Sequence, residues 1–300
     1  MRIAMTGSTG LIGSVLTEEL TKKGHSVTPI IRSSTPLKSN RKVIRWNIDL
    51  GKIDTAGLEG QDAVIHLSGA SLAGERWTPK YKALIRESRL KSTSFLATSL
   101  AQLKNPPRVF LSASAVGYYG EGEEKKDEAS PRGTGFLADL CYFWELATEA
   151  AEHRGIRVVH LRFGMVLSKK GGALGKMLSV FKMGLGGKIG SGKQMMNWIV
   201  AQEIPEIVLH VIETPSLRGP LNVVAPEALS NEEFTRTLGK ALRRPTIFPL
   251  PAKVAQMMFG EMADSLLLSS SYVVPKRLLE TGYQFSYPTL SEALAKVLSS

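Results

Sequence analysis

Two clusters in the sequence have the residue types and spacing for chemistry. The first is Thr6-Gly7-Ser8-Thr9-Gly10-Leu11-Ile12-Gly13, where glycine recurs at every third position after a short apolar run. A turn of this kind between a strand and a helix points backbone N–H groups at an anion. Gly7 permits the tight turn, Gly10 lets a pyrophosphate approach the backbone, and Gly13 lets the helix pack closely on the strand. The second cluster is Ser112-Ala113-Ser114-Ala115-Val116-Gly117-Tyr118-Tyr119-Gly120, just beyond another apolar run. Hydroxyls and phenols at a strand's carboxyl end can orient a sugar or a carbonyl and pass it a proton. Ser114, Tyr118 and Tyr119 are the candidates for that work.

Parallel strands must end at one edge to bring the clusters together. Strands are expected over 2–5, 26–31, 42–46, 63–67, 108–112 and 157–163, alternating with helices that begin at Leu11, Thr78 and Phe136. This alternation indicates an α/β fold with a doubly wound parallel sheet, a Rossmann arrangement. Pro29 weakens 26–31 as a central strand. The helices are expected to run 78–103 and 136–153, with an acidic, solvated loop over 121–128. Further helices are expected at 177–182, 198–212, 230–242, 251–259 and 290–298, and a strand at 221–224. Residues 1–225 form the nucleotide-binding domain, with 165–200 contributing to a smaller α+β substrate lobe completed by 226–300.

The end of the second strand, Ile31-Arg32-Ser33-Ser34, selects the cofactor. An Asp or Glu there would bind the ribose 2′-hydroxyl of NAD and repel a 2′-phosphate. A cation followed by hydroxyls favours NADP(H) over NAD. At the fourth strand's end, His66-Leu67-Ser68-Gly69 offers small residues over which a cofactor can lie near the backbone. His66 itself reads as a packed, hydrogen-bonded histidine. The Gly- and Lys-rich stretch 169–193 suits a loop that closes over an anionic ligand, such as the phosphate of a nucleotide sugar. Lys188, Lys193 and Gln194 are its candidate contacts, with Trp198 just beyond.

Composition removes several alternatives. The chain has 300 residues, a net charge of +11 and a single cysteine, Cys141. One cysteine excludes an intramolecular disulfide and fits a reducing compartment. The five histidines are scattered without metal-ligand spacing, so no metal site is expected. Lys and Arg are spread along the chain with no RNA-binding aromatic motif, so nucleic acid is not the expected partner. No apolar run is long enough for a membrane span, and a strand follows Met1 directly. A cytoplasmic protein with a small-molecule substrate is the expectation.

These residues resemble a known family. The chain is similar to extended short-chain dehydrogenases/reductases of the NAD(P)-dependent epimerase/dehydratase group, and within it to an atypical branch called epimerase family proteins. The likeness runs through TGSTGLIG (6–13), HLSGA (66–70), Arg76-Trp77-Thr78, Ser88-Arg89, SASAVGYYG (112–120), Trp144-Glu145, RFGMVL (162–167), GLGGKIGSGKQ (184–194), Asn197-Trp198-Ile199 and LNVVAP (221–226). It implies bound NADP(H) contacted by Thr6, Gly7, Thr9, Gly10, Leu11, Ile12, Gly13, Ile31, Arg32, His66, Leu67, Ser68, Gly69, Ser88 and Met165. It also implies a substrate pocket between the two lobes, and homodimers are common in the superfamily. Its dehydrogenases pair a Ser at the fifth strand's end with Tyr-x-x-x-Lys on the next helix, the Lys lowering the Tyr pKa and holding the ribose. Ser114 falls at the serine. When Glu145 is aligned with the family's following Glu, the Tyr and Lys positions fall on Leu137 and Cys141, neither of which can do that acid–base work. Binding and catalysis are thereby separated: an NADP(H)-dependent epimerase or oxidoreductase acting on a sugar nucleotide or related carbonyl, or an NADP(H)-binding module with little turnover, serving redox sensing or interaction.

Overall fold

The computed structural model describes residues 1–36 and 42–299. Its strands are β1 (Arg2–Thr6), β2 (Ser26–Arg32), β3 (Ile44–Asn47), β4 (Lys52–Ile53), β5 (Ala63–His66), β6 (Val109–Ala115) and β7 (Gly122–Lys126). They continue as β8 (Arg157–Phe163), β9 (Met165–Leu167), β10 (Met195–Met196), β11 (Trp198–Val200), β12 (Gly219–Val223), β13 (Leu229–Ser230) and β14 (Ser271–Val273). The helices are α1 (Leu11–Lys22), α2 (Thr55–Leu58), α3 (Pro79–Ala101), α4 (Phe136–Leu146), α5 (Glu149–His153) and α6 (Gly172–Lys182). After them come α7 (Ile204–Glu213), α8 (Asn231–Leu242), α9 (Ala252–Phe259), α10 (Glu261–Ala263), α11 (Lys276–Glu280) and α12 (Leu290–Ser299).

Eight strands form one sheet in the order β12-β8-β6-β5-β1-β2-β3-β4. Every pairing in it is parallel except that of β3 with the edge strand β4. Each central strand feeds two cores, because alternate side chains point to opposite faces. Ile3, Met5, Ile65 and Leu111 enter the core on one face. Ala4, Val64 and Phe110 enter that on the other. This explains why the strands read as continuous apolar runs. The chain winds outward from β1 to β2 and β3, then returns to place β5 on the opposite side of β1. That reversal opens a crevice at the carboxyl ends of β1 and β5, where ligands bind in sheets of this type.

The second lobe is made of short pieces from distant parts of the chain. β7 pairs in parallel with β14, β9 with β11, and β10 runs antiparallel to β13. It is joined to the main body by a shared apolar cluster that holds Leu16 and Leu20 of α1, Phe234 and Leu238 of α8, and Leu290 and Leu294 of α12.

Four expectations need correction. Trp198 opens a strand, not a helix: 198–200 pairs with β9, a 3-10 turn follows, and α7 starts at Ile204 with Pro205 in its first turn. Proline lacks an N–H and is tolerated at a helix start, so the helix cannot extend back through it unbroken. The helix expected over 136–153 is interrupted after Leu146, where the Thr148 hydroxyl donates to the Glu145 carbonyl (2.8 Å) and meets His160 Nε2 (2.9 Å). The acidic stretch 121–128 is not a free loop: it holds β7, and Glu128 is buried, accepting from the Asn222 N–H at 3.0 Å. Pro29 does lie within an internal strand, but the β2–β3 ladder begins only at Ile30, so its missing N–H costs that ladder nothing.

Candidate active site

The glycine turn has the shape its spacing predicts. Gly7 adopts φ +68°, a conformation that side chains disfavour. A Cβ at Gly13 would lie 2.1 Å from the Gly7 carbonyl oxygen, so α1 can approach the turn only without one. Gly10 caps α1 with no side-chain hydrogen bond, which leaves the first N–H groups of the helix for a ligand. Thr9 and Gly10 are exposed, Leu11 and Ile12 half-buried. The turn's far wall is the start of α6, where a Cβ at Gly172 would lie 3.1 Å from Leu11 Cδ2. This cradle fits a pyrophosphate.

On one side of the cradle, β2 delivers Ile31 half-buried and Arg32 exposed. The turn after Arg32 is fixed to β3: the Ser33 N–H and hydroxyl both donate to the Trp46 carbonyl (2.7 and 2.9 Å). Arg45 Nη1 donates to the carbonyls of Ser33 (2.8 Å) and Thr35 (3.2 Å). The Arg45 guanidinium thus holds the turn that follows the exposed Arg32, a setting suited to a 2′-phosphate.

On the other side, at the end of β5, His66 is wholly buried. Its Nδ1 meets Thr6 Oγ1 (2.8 Å) and its Nε2 meets Ser92 Oγ (3.1 Å). Burial pulls its pKa down to about 3, so it stays neutral. The His66 side chain therefore cannot touch a cofactor; it positions Thr6, whose hydroxyl accepts from the N–H groups of Leu67 (3.0 Å) and Ser68 (3.3 Å). Ser88 Oγ in turn accepts from the Ala70 N–H (3.0 Å), tying the loop 67–70 to α3.

The catalytic candidates lie at the ends of β6 and β8. Register places Ser114, Arg162 and Asn222 side by side across three strands. Arg162 is a buried cation near the end of β8, and it is answered from α4. Its Nε and Nη2 bond the two oxygens of Glu145, both at 2.7 Å. Ser114 Oγ donates to the first of those oxygens, also at 2.7 Å. Burial opposes the charge on Arg162, but the Glu145 hydrogen bonds and charge raise its pKa overall. The guanidinium packs against the Tyr118 ring, 3.5 Å from its centre. Nη1 donates to Tyr119 OH (2.9 Å), which donates to Asn222 Oδ1 (2.7 Å).

The two tyrosines separate here. Tyr119 is 2% exposed, and burial pushes its phenol up to about 12 although Arg162 works against this. Its hydroxyl is committed on both sides, so it is withdrawn as a proton donor and acts as a strut. Tyr118 is half-buried and keeps an accessible edge. Arg162, Glu145 and Asn222 were not singled out as site residues from the sequence. A charged or amide side chain inside a strand (Arg162, Asn222) and a carboxylate on the mostly apolar helix α4 (Glu145) are the signal, since such groups are buried only with partners.

The second-half candidates scatter. Lys193 is exposed. Gln194 is buried, and its Nε2 donates to the carbonyls of Ile189 and Leu267, both at 2.9 Å. It clamps the Gly-rich stretch instead of facing a pocket. Trp198 is fully buried in β11. Met165 is half-buried, its N–H donating to the Asn197 carbonyl (2.7 Å). Neither Gln194 nor Trp198 presents a side chain to a substrate.

A family model described as "NAD dependent epimerase/dehydratase family" matches residues 3–224. The chain belongs to this family. A second model, "Domain of unknown function (DUF1731)", matches residues 250–297. Among relatives of the family, the Mycobacterium bovis epimerase family protein Mb2239 is 40% identical over 293 residues, covering 97% of this chain and 96% of its own. The human epimerase family protein SDR39U1 is 37% identical over 303 residues, covering both chains fully. A crystal structure of that human protein (isoform 2) with NADPH superposes with a TM-score of 0.90 at 36% identity over 100% of both chains. The Thermotoga maritima UDP-glucose 4-epimerase with UDP-glucose shares the fold, with a TM-score of 0.76 at 18% identity over 100% of this chain and 98% of its own.

Against the family, the face of α4 turned to Gly117 is the departure. A Cβ at Gly117 would lie 3.2 Å from Leu137 Cβ and 3.9 Å from Cys141 Sγ. Leu137, Cys141 and Glu145 follow each other at four-residue spacing on one face. The Cys141 thiol is buried, and burial pushes it up to about 12. It stays protonated and offers no thiolate chemistry.

Proposed function

We propose that the chain binds NADP(H) across the ends of β1, β2 and β5 and carries out hydride-transfer chemistry on a sugar nucleotide or related carbonyl compound. The pyrophosphate lies on the Gly7–Gly13 turn and the 2′-phosphate on Arg32. When bound, the cofactor supplies or accepts the hydride. The observation that carries the chemical half is the Ser114–Glu145–Arg162 network beside Tyr118. It puts a hydroxyl and a phenol at a strand end where ligands bind, with a cation against the phenol's ring. Ser114 orients the reacting oxygen, and Tyr118 exchanges its proton.

Leu137 and Cys141 support a second reading, in which the cofactor is bound with little turnover. One experiment separates the two. Nicotinamide absorbance is followed with a panel of nucleotide sugars and simple carbonyl compounds, for the wild type, Tyr118→Phe and Ser114→Ala. The first reading expects turnover with at least one class and a loss of roughly 10²- to 10⁴-fold in Tyr118→Phe, at unchanged NADPH affinity. Full turnover by Tyr118→Phe removes the tyrosine. Tight NADPH binding with no turnover by the wild type favours the second reading.

A further inference from the structure

Lys and Arg occur throughout the chain, but Asp and Glu do not. The segments 153–202 and 234–260 hold 14 of the 38 Lys and Arg residues and not one acid. The other 24 cations are outnumbered by the 27 acids, so the net charge of +11 comes wholly from these two segments. Some of their cations are answered by acids from elsewhere: Arg162 by Glu145, and Lys188 and Arg236 by Glu232. Lys182, Arg243, Arg244 and Lys253 are exposed, and no carboxylate pairs with them among the described residues.

The fold brings the two segments together. The Phe248 N–H donates to the Gly186 carbonyl (3.3 Å), and the Leu250 N–H to that of Lys188 (2.8 Å). The Gly190 N–H donates back to the Leu250 carbonyl (2.9 Å). A Cβ at Gly184 would lie 3.7 Å from Pro245 Cγ, so the turn leaving α6 rests on the turn leaving α8. At this joint four large apolar side chains stand in solvent: Met183 is 65% exposed, Leu185 51%, Ile247 72% and Phe248 52%. Lys182 precedes the first pair in the chain, and Arg243 and Arg244 precede the second. Arg243 caps α8 at φ 53°, the only residue besides glycines with a positive φ among the described residues. Glycine takes that conformation freely. Arginine there keeps a cation at the joint against backbone strain.

Exposed apolar side chains of this size, set among unpaired cations, need a partner that is apolar beneath an anionic surface. A second copy of this chain would set cation against cation. Duplex nucleic acid would answer the cations and leave the apolar groups facing phosphates. We propose that this face lies against an anionic phospholipid membrane. Met183, Leu185, Ile247 and Phe248 enter the boundary between head groups and acyl chains, and the flanking cations meet the head groups. A few apolar side chains or a few cations alone hold a protein weakly, and the two together give reversible, salt-sensitive attachment. The proposal is independent of the cofactor reading above.

The test is co-sedimentation of the full chain with vesicles of phosphatidylcholine alone, and of equal parts phosphatidylcholine and phosphatidylglycerol. Binding is expected to the second vesicle only, and it should fall as salt is raised. Arg243→Gly with Arg244→Gln should weaken that binding roughly ten- to thirtyfold at low salt, since each cation near such a surface is worth about fivefold. Arg243→Gly alone should not lower Tm, because glycine accepts the left-handed backbone. Ile247→Ser with Phe248→Ser keeps every charge and should still lose roughly tenfold or more. Lys52→Gln with Lys104→Gln removes the same charge outside the two segments and should bind like the wild type. None of these variants should change the rise in Tm that NADPH produces. No binding to the anionic vesicle, equal binding to both vesicles, or undiminished binding by Ile247→Ser with Phe248→Ser overturns the proposal. So does a wild type that retains duplex DNA and not the vesicle, which would make the face a nucleic-acid surface. A wild type that binds the anionic vesicle as described but not NADPH supports the proposal and overturns the cofactor reading alone.

Discussion

Glu145 is the position where a single atom group decides both stability and the site. Its two oxygens take Arg162 Nε and Nη2 at 2.7 Å, and one also takes Ser114. The Arg162 side chain is 3% exposed and that of Glu145 11%. Glu145→Ala leaves a guanidinium packed on Tyr118 with only the neutral Tyr119 hydroxyl to face. Breaking a buried pair in this way costs about 3–5 kcal/mol. With an unfolding entropy of about 2.1 cal/mol/K per residue, the whole chain of 300 residues has roughly 0.6 kcal/mol/K. The expected fall in Tm is then about 5–8 °C. Most of that penalty is the unpaired charge, so Arg162→Met should be less harmful in the Glu145→Ala background than in the wild type. The assay is a double-mutant cycle by urea unfolding, with a coupling energy of about 2 kcal/mol or more expected for neighbours of this kind. Additive losses, with no relief in the double variant, would refute the idea that buried charge compensation holds this part of the site.

Three further outcomes follow from the same geometry. Gly13→Ala places a Cβ 2.1 Å from the Gly7 carbonyl oxygen; it should cost about 1–3 kcal/mol by overpacking and abolish detectable NADPH binding, read by melting with and without ligand. His66 is held neutral to about pH 3. Its folded pKa lies below the unfolded value of about 6.5, so the unfolded chain binds the extra proton and stability is lost as pH falls below that value, by about 1.4 kcal/mol per unit. Urea unfolding at pH 7 and pH 5 should show roughly 2 kcal/mol of such loss in the wild type, and a flatter dependence in His66→Gln. Tyr118→Phe should lower turnover without changing NADPH affinity, whereas Tyr119→Phe should lower stability, because the buried Tyr119 hydroxyl bonds both Arg162 and Asn222.

The sheet and its cofactor edge were legible in the sequence because they rest on local rules. Parallel strands buried on both faces read as apolar runs, and a GxxGxxG turn carries its own geometry. What escaped depends on contacts between distant positions. Trp198 lies in a helix-compatible run, and only pairing with Met165–Leu167 makes it a strand. Glu121–Glu128 is acidic enough to read as solvated, yet β14 arrives from about 150 residues later to pair with it. The clustering of Ser114, Arg162 and Asn222 is a matter of register, and no spacing along the chain contains it. Gln194 and Trp198 illustrate the reverse. Their types suit an anionic ligand, but the hydrogen bonds of Gln194 and the burial of Trp198 are used within the lobe.

Binding at the 2′-phosphate end tests the central claim most directly. The exposed Arg32 and the turn fixed on Trp46 stand where a carboxylate would select NAD. Calorimetric titration of the wild type and Arg32→Ala with NADPH and NADH is the measurement. The account predicts that the wild type prefers NADPH, and that Arg32→Ala loses roughly ten- to hundredfold in NADPH affinity, the worth of a charge-assisted contact, while NADH affinity stays the same. Equal wild-type affinities for the two cofactors, or an Arg32→Ala variant that still prefers NADPH by the wild-type margin, would contradict it.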